Sequence, residues 1–153
     1  MCGISGIVQK GGQAVCPEQV QAMMDSMAHR GPDDQGQFIE GGVGLGFVRL
    51  SIIDLSIGGH QPMYSADGRH VLIFNGEIYN YIELREALKK EGYCFKTQTD
   101  TEVLLNAYLA WGEQMLHRLN GMWAFVIYDR EEQSLFGARD RYGIKPFYYF
   151  LDQ

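Results

Sequence analysis

The order in which strand-like and helix-like segments follow one another leaves this chain few architectures. Gly3 to Val8 is short, apolar and rich in β-branched residues, which reads as a strand at the N-terminus and puts Cys2 at its mouth. After Pro17, the residues Val20, Met23, Met24 and Met27 recur at helical spacing, so a helix with a core-facing stripe is expected, ending near Arg30-Gly31-Pro32. Gln37 to Glu40, Val43 to Ile52 and His70 to Phe74 read as strands separated by Gly-rich or Pro-containing turns. A helix is expected from Tyr81 to Glu91, stopping at Gly92, and another where Leu104, Ala107, Tyr108 and Trp111 share a face. Met122 to Tyr128 reads as a strand buried on both faces, and Ser134 to Ala138 and Phe147 to Phe150 as two more. Strands thus come in runs and helices serve as long connections, which favours a layered α+β fold over a regular βαβ winding.

No repeat, low-complexity tract or linker-like stretch interrupts the 153 residues, so a single domain is expected. A formal charge of -6 with no Lys/Arg-rich run argues against nucleic acid or anionic membrane as partner. Cys2, Cys16 and Cys94 are odd in number and lack CxxC spacing. They suggest neither a disulfide framework nor a zinc site and fit a reducing cytoplasm. No stretch approaches the apolar length of a membrane helix, and the N-terminus does not look like a secretion signal. His29, His60, His70 and His117 lack ligand spacing, so no metal is predicted. Gly42, Gly44 and Gly46 are spaced GxGxG inside a strand pattern, which is not a dinucleotide loop.

Four places could carry chemistry, each with a plainer reading beside it. Removal of Met1 would leave Cys2 with a free α-amine next to its own thiol, a nucleophile and base in one residue; Cys2 could equally be a small apolar side chain. Asn75-Gly76 is a turn signal, yet a carboxamide beside an unhindered Gly N–H is also a two-donor oxyanion site. Arg49, near the end of an apolar strand, is either solvated or a bidentate carboxylate clamp. Asp100 follows Thr99, which with Glu102 makes a capping-box pattern; the alternative to a capping role is a carboxylate for an ammonium group. Glu77 has no meaning from spacing by itself.

Taken together, MCGISGIV at the start, HRGPDDQG at 29–36, RLSIIDL at 49–55, HQPM at 60–63, FNGEIYNY at 74–81 and ARDRYGIKPFYY at 138–149 resemble the class II glutamine amidotransferases, in particular their asparagine synthetase branch. The six blocks cover nearly the whole chain in order and spacing. The resemblance implies an N-terminal-nucleophile αββα sandwich, two antiparallel sheets between helical layers. It implies Cys2 as nucleophile with its freed amine as base, and Asn75 and Gly76 as the oxyanion donors. It further implies that Arg49 binds the glutamine α-carboxylate and Asp100, with Glu77, its α-amino group. Backbone groups of Leu50, Ile52, Ile53 and Gly76 would line the pocket.

The implied activity is hydrolysis of L-glutamine to glutamate and ammonia, the ammonia serving ATP-dependent amidation of aspartate in a C-terminal synthetase domain. No cofactor is implied for residues 1–153; ATP and Mg would belong to that other domain, and Ser56-Ile57-Gly58-Gly59 does not match its pyrophosphate motif. Ending at Gln153, the chain would stop a few tens of residues short of a complete glutaminase domain. A retained Met1 would cap the amine. Two other functions stay open: a glutaminase for a different acceptor, such as a sugar or secondary metabolite, and a truncated, non-catalytic glutamine-binding module. Oligomers are compatible with the sequence.

Overall fold

A computed structural model describes residues 2–152 and places three layers of contact between four layers of structure. Strands β1 (Gly3–Val8), β2 (Asp34–Glu40) and β3 (Val43–Arg49) form one antiparallel sheet in the order β1-β3-β2. Strands β4 (Met63–Tyr64), β5 (His70–Ile78), β6 (Gly121–Asp129) and β7 (Ser134–Arg139) form a second, in sequence order and again antiparallel. Helix α1 (Pro17–Ser26) covers the outer face of the first sheet, while α2 (Tyr81–Lys90) and α3 (Asp100–Trp111) cover the outer face of the second. This is the αββα sandwich of two antiparallel sheets that the sequence blocks imply.

Strand alternation explains the layering. On β3, Val43, Leu45 and Phe47 enter the inter-sheet core with Val71, Ile73 and Tyr128, whereas Val48 faces α1. Gly44 and Gly46 lie on that helix-facing side. A Cβ on Gly44 would sit 2.7 Å from Val15 and Val20 side-chain atoms, and one on Gly46 2.8 Å from Met24, so the GxGxG run lets α1 approach the sheet. Leu72, Phe74 and Ile78 of β5 join Trp123, Phe125 and Ile127 of β6 against Leu84, Leu88, Val103 and Leu104 of the two helices. β6 is accordingly buried on both faces, as its unbroken apolar run predicts.

Several sequence expectations need correction. Helix α1 ends at Ser26, and the chain passes through a short 3-10 turn at Ala28–Arg30. Val20 and Met24 of its stripe are buried, but Met23 is 36% exposed because the sheet covers only one side of the helix. β2 begins at Asp34, three residues before the expected start, and the two-residue β4 carries no periodicity that could have been read.

β3 stops at Arg49 rather than Ile52, because its neighbours run out: Gly3 pairs with Val48 and Asp34 with Arg49. β5 continues through Asn75 and Gly76 to Ile78, so this pair is strand and not turn. Phe147 to Phe150 is not a strand; among the described residues none pairs with it, and Tyr148, Tyr149 and Phe150 are exposed. Among the described residues no helix is long and apolar enough to cross a membrane. The state of Met1 lies outside the described residues, as does Gln153.

Candidate active site

At one end of the sandwich the two sheets part around a pocket of about 560 Å³, its open mouth included. Cys2, Arg49, Leu50, Ile52, Ile53, Asn75, Gly76, Glu77 and Asp100, every site residue expected from the sequence, line it. They come from four separate places in the fold: the residue before β1, the end of β3 with the loop after it, the far half of β5, and the first turn of α3. Their convergence follows from topology. β1 and β3 are antiparallel neighbours, so the entrance of one adjoins the exit of the other.

The thiol of Cys2 lies against the first residue beyond β3. Its Sγ accepts the Leu50 N–H at 3.4 Å and is 3.6 Å from the Leu50 carbonyl, and its own carbonyl accepts from Arg30 Nε at 3.2 Å. The Ser51 N–H then donates to Asp33 Oδ2 at 2.7 Å. Side chains thus replace the missing ladder partners after Arg49, and the loop bearing Ile52 and Ile53 swings away to form a wall.

Arg49 is buried, and its guanidinium donates to the Ser56 carbonyl at 2.8 Å and to the Asp54 carbonyl. Ser56 Oγ in turn accepts the Gly58 N–H, capping the 3-10 turn Ile57–Gly59. Gly59 gives the guanidinium its seat: a Cβ there would lie 1.9 Å from Arg49 Nη2. The SGG-like string is therefore a bracket for Arg49.

The open edge of β5 is the feature of greatest chemical consequence. Successive residues of a strand point their backbone groups to opposite edges, so Phe74, Gly76 and Ile78 face the same one. Phe74 N–H donates to Gln61 Oε1 at 2.6 Å and Ile78 N–H to Asp100 Oδ2 at 3.0 Å. Between them the Gly76 N–H faces the pocket, with no strand or side chain bonded to it among the described residues. The Asn75 carboxamide, one residue earlier, likewise takes no partner among the described residues. Gly76 is required by crowding on its far side, where a Cβ would meet the Met122 carbonyl at 2.3 Å.

Asp100 is the first residue of α3, and Thr99 is its cap, accepting the Glu102 N–H at 3.1 Å. Only half of a capping box forms, since the Glu102 carboxylate turns back to the Lys96 and Thr97 N–H groups. Burial pushes the Asp100 carboxyl up to about 6, and the Glu77 charge adds to the rise, against the pull of N–H bonds from Ile78 and the helix start.

The pocket wall also carries polar residues that were not anticipated, Asp54, Thr99 and Thr101 among them, and two stand out. Lys145 is buried in the pocket wall, its ammonium lowered by burial while Glu77 opposes the shift. The loop that carries it is organised by Asp140. That carboxylate collects the N–H groups of Trp123, Tyr142, Ile144 and Lys145, and they outweigh its burial and hold it below the usual range. Gln61 is the other; both lie inside sequence blocks (ARDRYGIKPFYY and HQPM) whose individual residues had no assigned role. A thiol, two N–H donors unpaired among the described residues, cations and carboxylates around one small pocket can bind a zwitterion and stabilise an oxyanion formed at the thiol.

A family model described as a glutamine amidotransferase domain matches residues 1–153. Asparagine synthetase [glutamine-hydrolyzing] 1 of Bacillus subtilis is 49% identical over 97% of this chain and 24% of its own length. Putative asparagine synthetase [glutamine-hydrolyzing] 2 of Methanocaldococcus jannaschii is 44% identical over 99% of this chain and 32% of its own. The chain thus spans about a quarter to a third of the length of these relatives. A solved glutamine phosphoribosylpyrophosphate amidotransferase from B. subtilis shares the fold with a TM-score of 0.71 at 23% identity, over 90% of this chain and 37% of that one.

Proposed function

The chain belongs to the glutamine amidotransferase family, and on that premise we propose that it hydrolyses L-glutamine through Cys2 to supply ammonia for asparagine synthesis. The observation that carries this reading is the Gly76 N–H on the β5 edge, unpaired among the described residues and in the same pocket as Cys2 and the Asn75 carboxamide.

Arg49 takes the glutamine α-carboxylate, and Asp100 with Glu77 takes the α-ammonium, which turns the side-chain amide toward Cys2. Backbone groups of Leu50, Ile52 and Ile53 close the other side. With Met1 removed, the Cys2 amine accepts the thiol proton and Sγ attacks the amide carbon. The oxygen that becomes negative is held by the Asn75 carboxamide and the Gly76 N–H. The tetrahedral adduct collapses as the C–N bond breaks; the amine returns its proton to the departing nitrogen, and ammonia leaves. Water then attacks the glutamyl thioester, its proton passing through the amine to Sγ as the C–S bond breaks, so that glutamate is released and the thiol restored.

No cofactor is needed for these steps, since amine, thiol and fixed donors supply the acid, base, nucleophile and oxyanion stabilisation. The ammonia would pass to a C-terminal synthetase portion that uses ATP and Mg to amidate aspartate, in keeping with relatives three to four times longer that are named glutamine-hydrolysing asparagine synthetases. A reducing cytoplasm is the compartment consistent with such a thiol. On this reading residues 1–153, the span matched by the family model, act as the glutaminase domain.

The test is glutamate release from glutamine by protein whose mass confirms loss of Met1, beside a Cys2→Ala control. Release confined to the unmutated protein is expected. Equal release by both, or none by a folded protein with a free Cys2 amine, removes Cys2 from the role of nucleophile in this domain.

A further inference from the structure

The pairing of β4 with β5 stops after two residues, Met63 with Leu72 and Tyr64 with Val71. Continued backward in the same register, Pro62 would lie opposite Ile73 and Gln61 opposite Phe74. Pro62 has no N–H to offer the ladder. The Gln61 main chain is turned toward the other sheet, its carbonyl so close to β2 that a Cβ on Gly36 would be 2.2 Å from it. Its side chain takes the vacant place instead. The carboxamide accepts the Phe74 N–H at 2.6 Å through Oε1 and donates to the Phe74 carbonyl at 3.3 Å through Nε2, as a neighbouring peptide group would. Nε2 also donates to Thr101 Oγ1 at 3.4 Å, which ties the clamp to the first turn of α3 beside Asp100. Gln61 is 3% exposed, so water does not compete for these bonds.

We propose that Gln61 is a positioning residue for glutamine hydrolysis, its buried carboxamide standing in as the last rung of the β4–β5 ladder and thereby aiming the Asn75 and Gly76 donors. The inference rests on the reading of those donors given above. The clamped Phe74 carbonyl shares its peptide plane with the Asn75 nitrogen, and the following peptide carries the Gly76 N–H. A side-chain rung also ends the ladder where it must end: carried two residues further in that register, the chain would lie opposite Gly76, cover its N–H and fill the site. A carboxamide is needed because it presents a donor and an acceptor side by side. A carboxylate lacks the donor, and an apolar chain lacks both.

The experiment compares wild-type protein with Gln61→Leu and Gln61→Glu, each shown to be folded by its melting curve. With Gln61→Leu, kcat for glutamate release falls about 10- to 100-fold with KM changed much less, since a displaced oxyanion donor acts on the transition state. With Gln61→Glu, the protonated carboxyl can still donate to the Phe74 carbonyl and the ionised one repels it. Its kcat relative to wild type is therefore highest in acid and falls as pH rises through a carboxyl value lifted by burial. The charged groups that line the same pocket, Arg49, Asp54, Glu77, Asp100 and Lys145, are common to both proteins and cancel in that ratio.

The backbone amide resonance of Gly76 is followed alongside. It is expected to shift in Gln61→Leu and to titrate in Gln61→Glu, whether or not glutamine is turned over. Should Gln61→Leu fail to fold, the titration of Gln61→Glu decides alone. An unmoved Gly76 amide, or a kcat ratio flat with pH and within about twofold of wild type, overturns the role of Gln61. A shifting Gly76 amide in a wild-type background that releases no glutamate would instead overturn the proposed hydrolysis and leave the mechanical coupling standing.

Discussion

Replacing Asp100 by Asn should make the protein more stable and less able to bind glutamine, and both effects should depend on pH. Burial lifts the Asp100 carboxyl from 3.8 to about 6. A carboxyl that ionises later in the folded than in the unfolded chain contributes stability in full below its unfolded value, and that contribution is lost as pH rises through about 6. At about 1.4 kcal/mol per unit, the loss between about pH 4 and pH 8 approaches about 3 kcal/mol.

Asp100→Asn keeps the shape and an oxygen that can accept the Ile78 N–H, but it has no charge to desolvate. For a chain of this length about 1 kcal/mol corresponds to about 2–4 °C, so the variant's melting temperature relative to wild type should rise by about 6–12 °C from about pH 4 to pH 8. Parallel thermal scans of the two proteins across that range measure it directly. A difference that stays flat with pH would refute the burial argument. Glutamine binding supplies the second half of the test. About 10% of Asp100 is ionised at pH 5 and about 90% at pH 7, so 1/KM of the wild type should climb about tenfold over that interval, and 1/KM of Asp100→Asn should be low and flat.

Arg49→Lys exchanges a planar fork for a point charge and releases the Ser56 and Asp54 carbonyls; KM for glutamine should rise about tenfold or more with a smaller change in kcat, and an unchanged KM would take Arg49 out of the substrate clamp. Gly59→Ala drives a methyl into Arg49 Nη2, so steady-state kinetics should show the same KM defect without any change at Arg49 itself. Asn75→Ala should lower kcat about 10²-fold or more, read from glutamate release. At the opposite end of β5 and β6, Arg69 holds Asp129 ionised through contacts of 2.9 Å at Nε and 2.6 Å at Nη2. This depressed carboxyl contributes stability above its unfolded value that is lost as pH falls through its lowered folded value, so Asp129→Asn should melt lower at neutral pH, begin to close on wild type only as pH falls below about 4, and leave kcat/KM unchanged.

The layered α+β class, the three α-helices and most strands were legible in this sequence, because apolar spacing reports which face of an element meets a core. That Cys2, Arg49, Asn75-Gly76 and Asp100 belong together was legible too, from blocks that resemble glutaminases, and the fold gathers them in one pocket, although each taken singly had a plainer reading. Other features were not legible, the two-residue β4 among them. Asn75-Gly76 carries a turn signal locally, yet it lies in the middle of β5, because pairing with Ala124 and Trp123 of β6 outweighs dipeptide preference. Phe147 to Phe150 looks like a strand but has no partner among the described residues. Gln61 and Lys145 show no spacing that marks them, and they enter the pocket only through a broken ladder and a loop wound around Asp140. Periodicity thus determined most of the elements, and the resemblance of the blocks pointed to the residues gathered in the pocket. The tertiary structure decided which strand edge stays open, since an N–H is unpaired only by virtue of what fails to lie beside it in space.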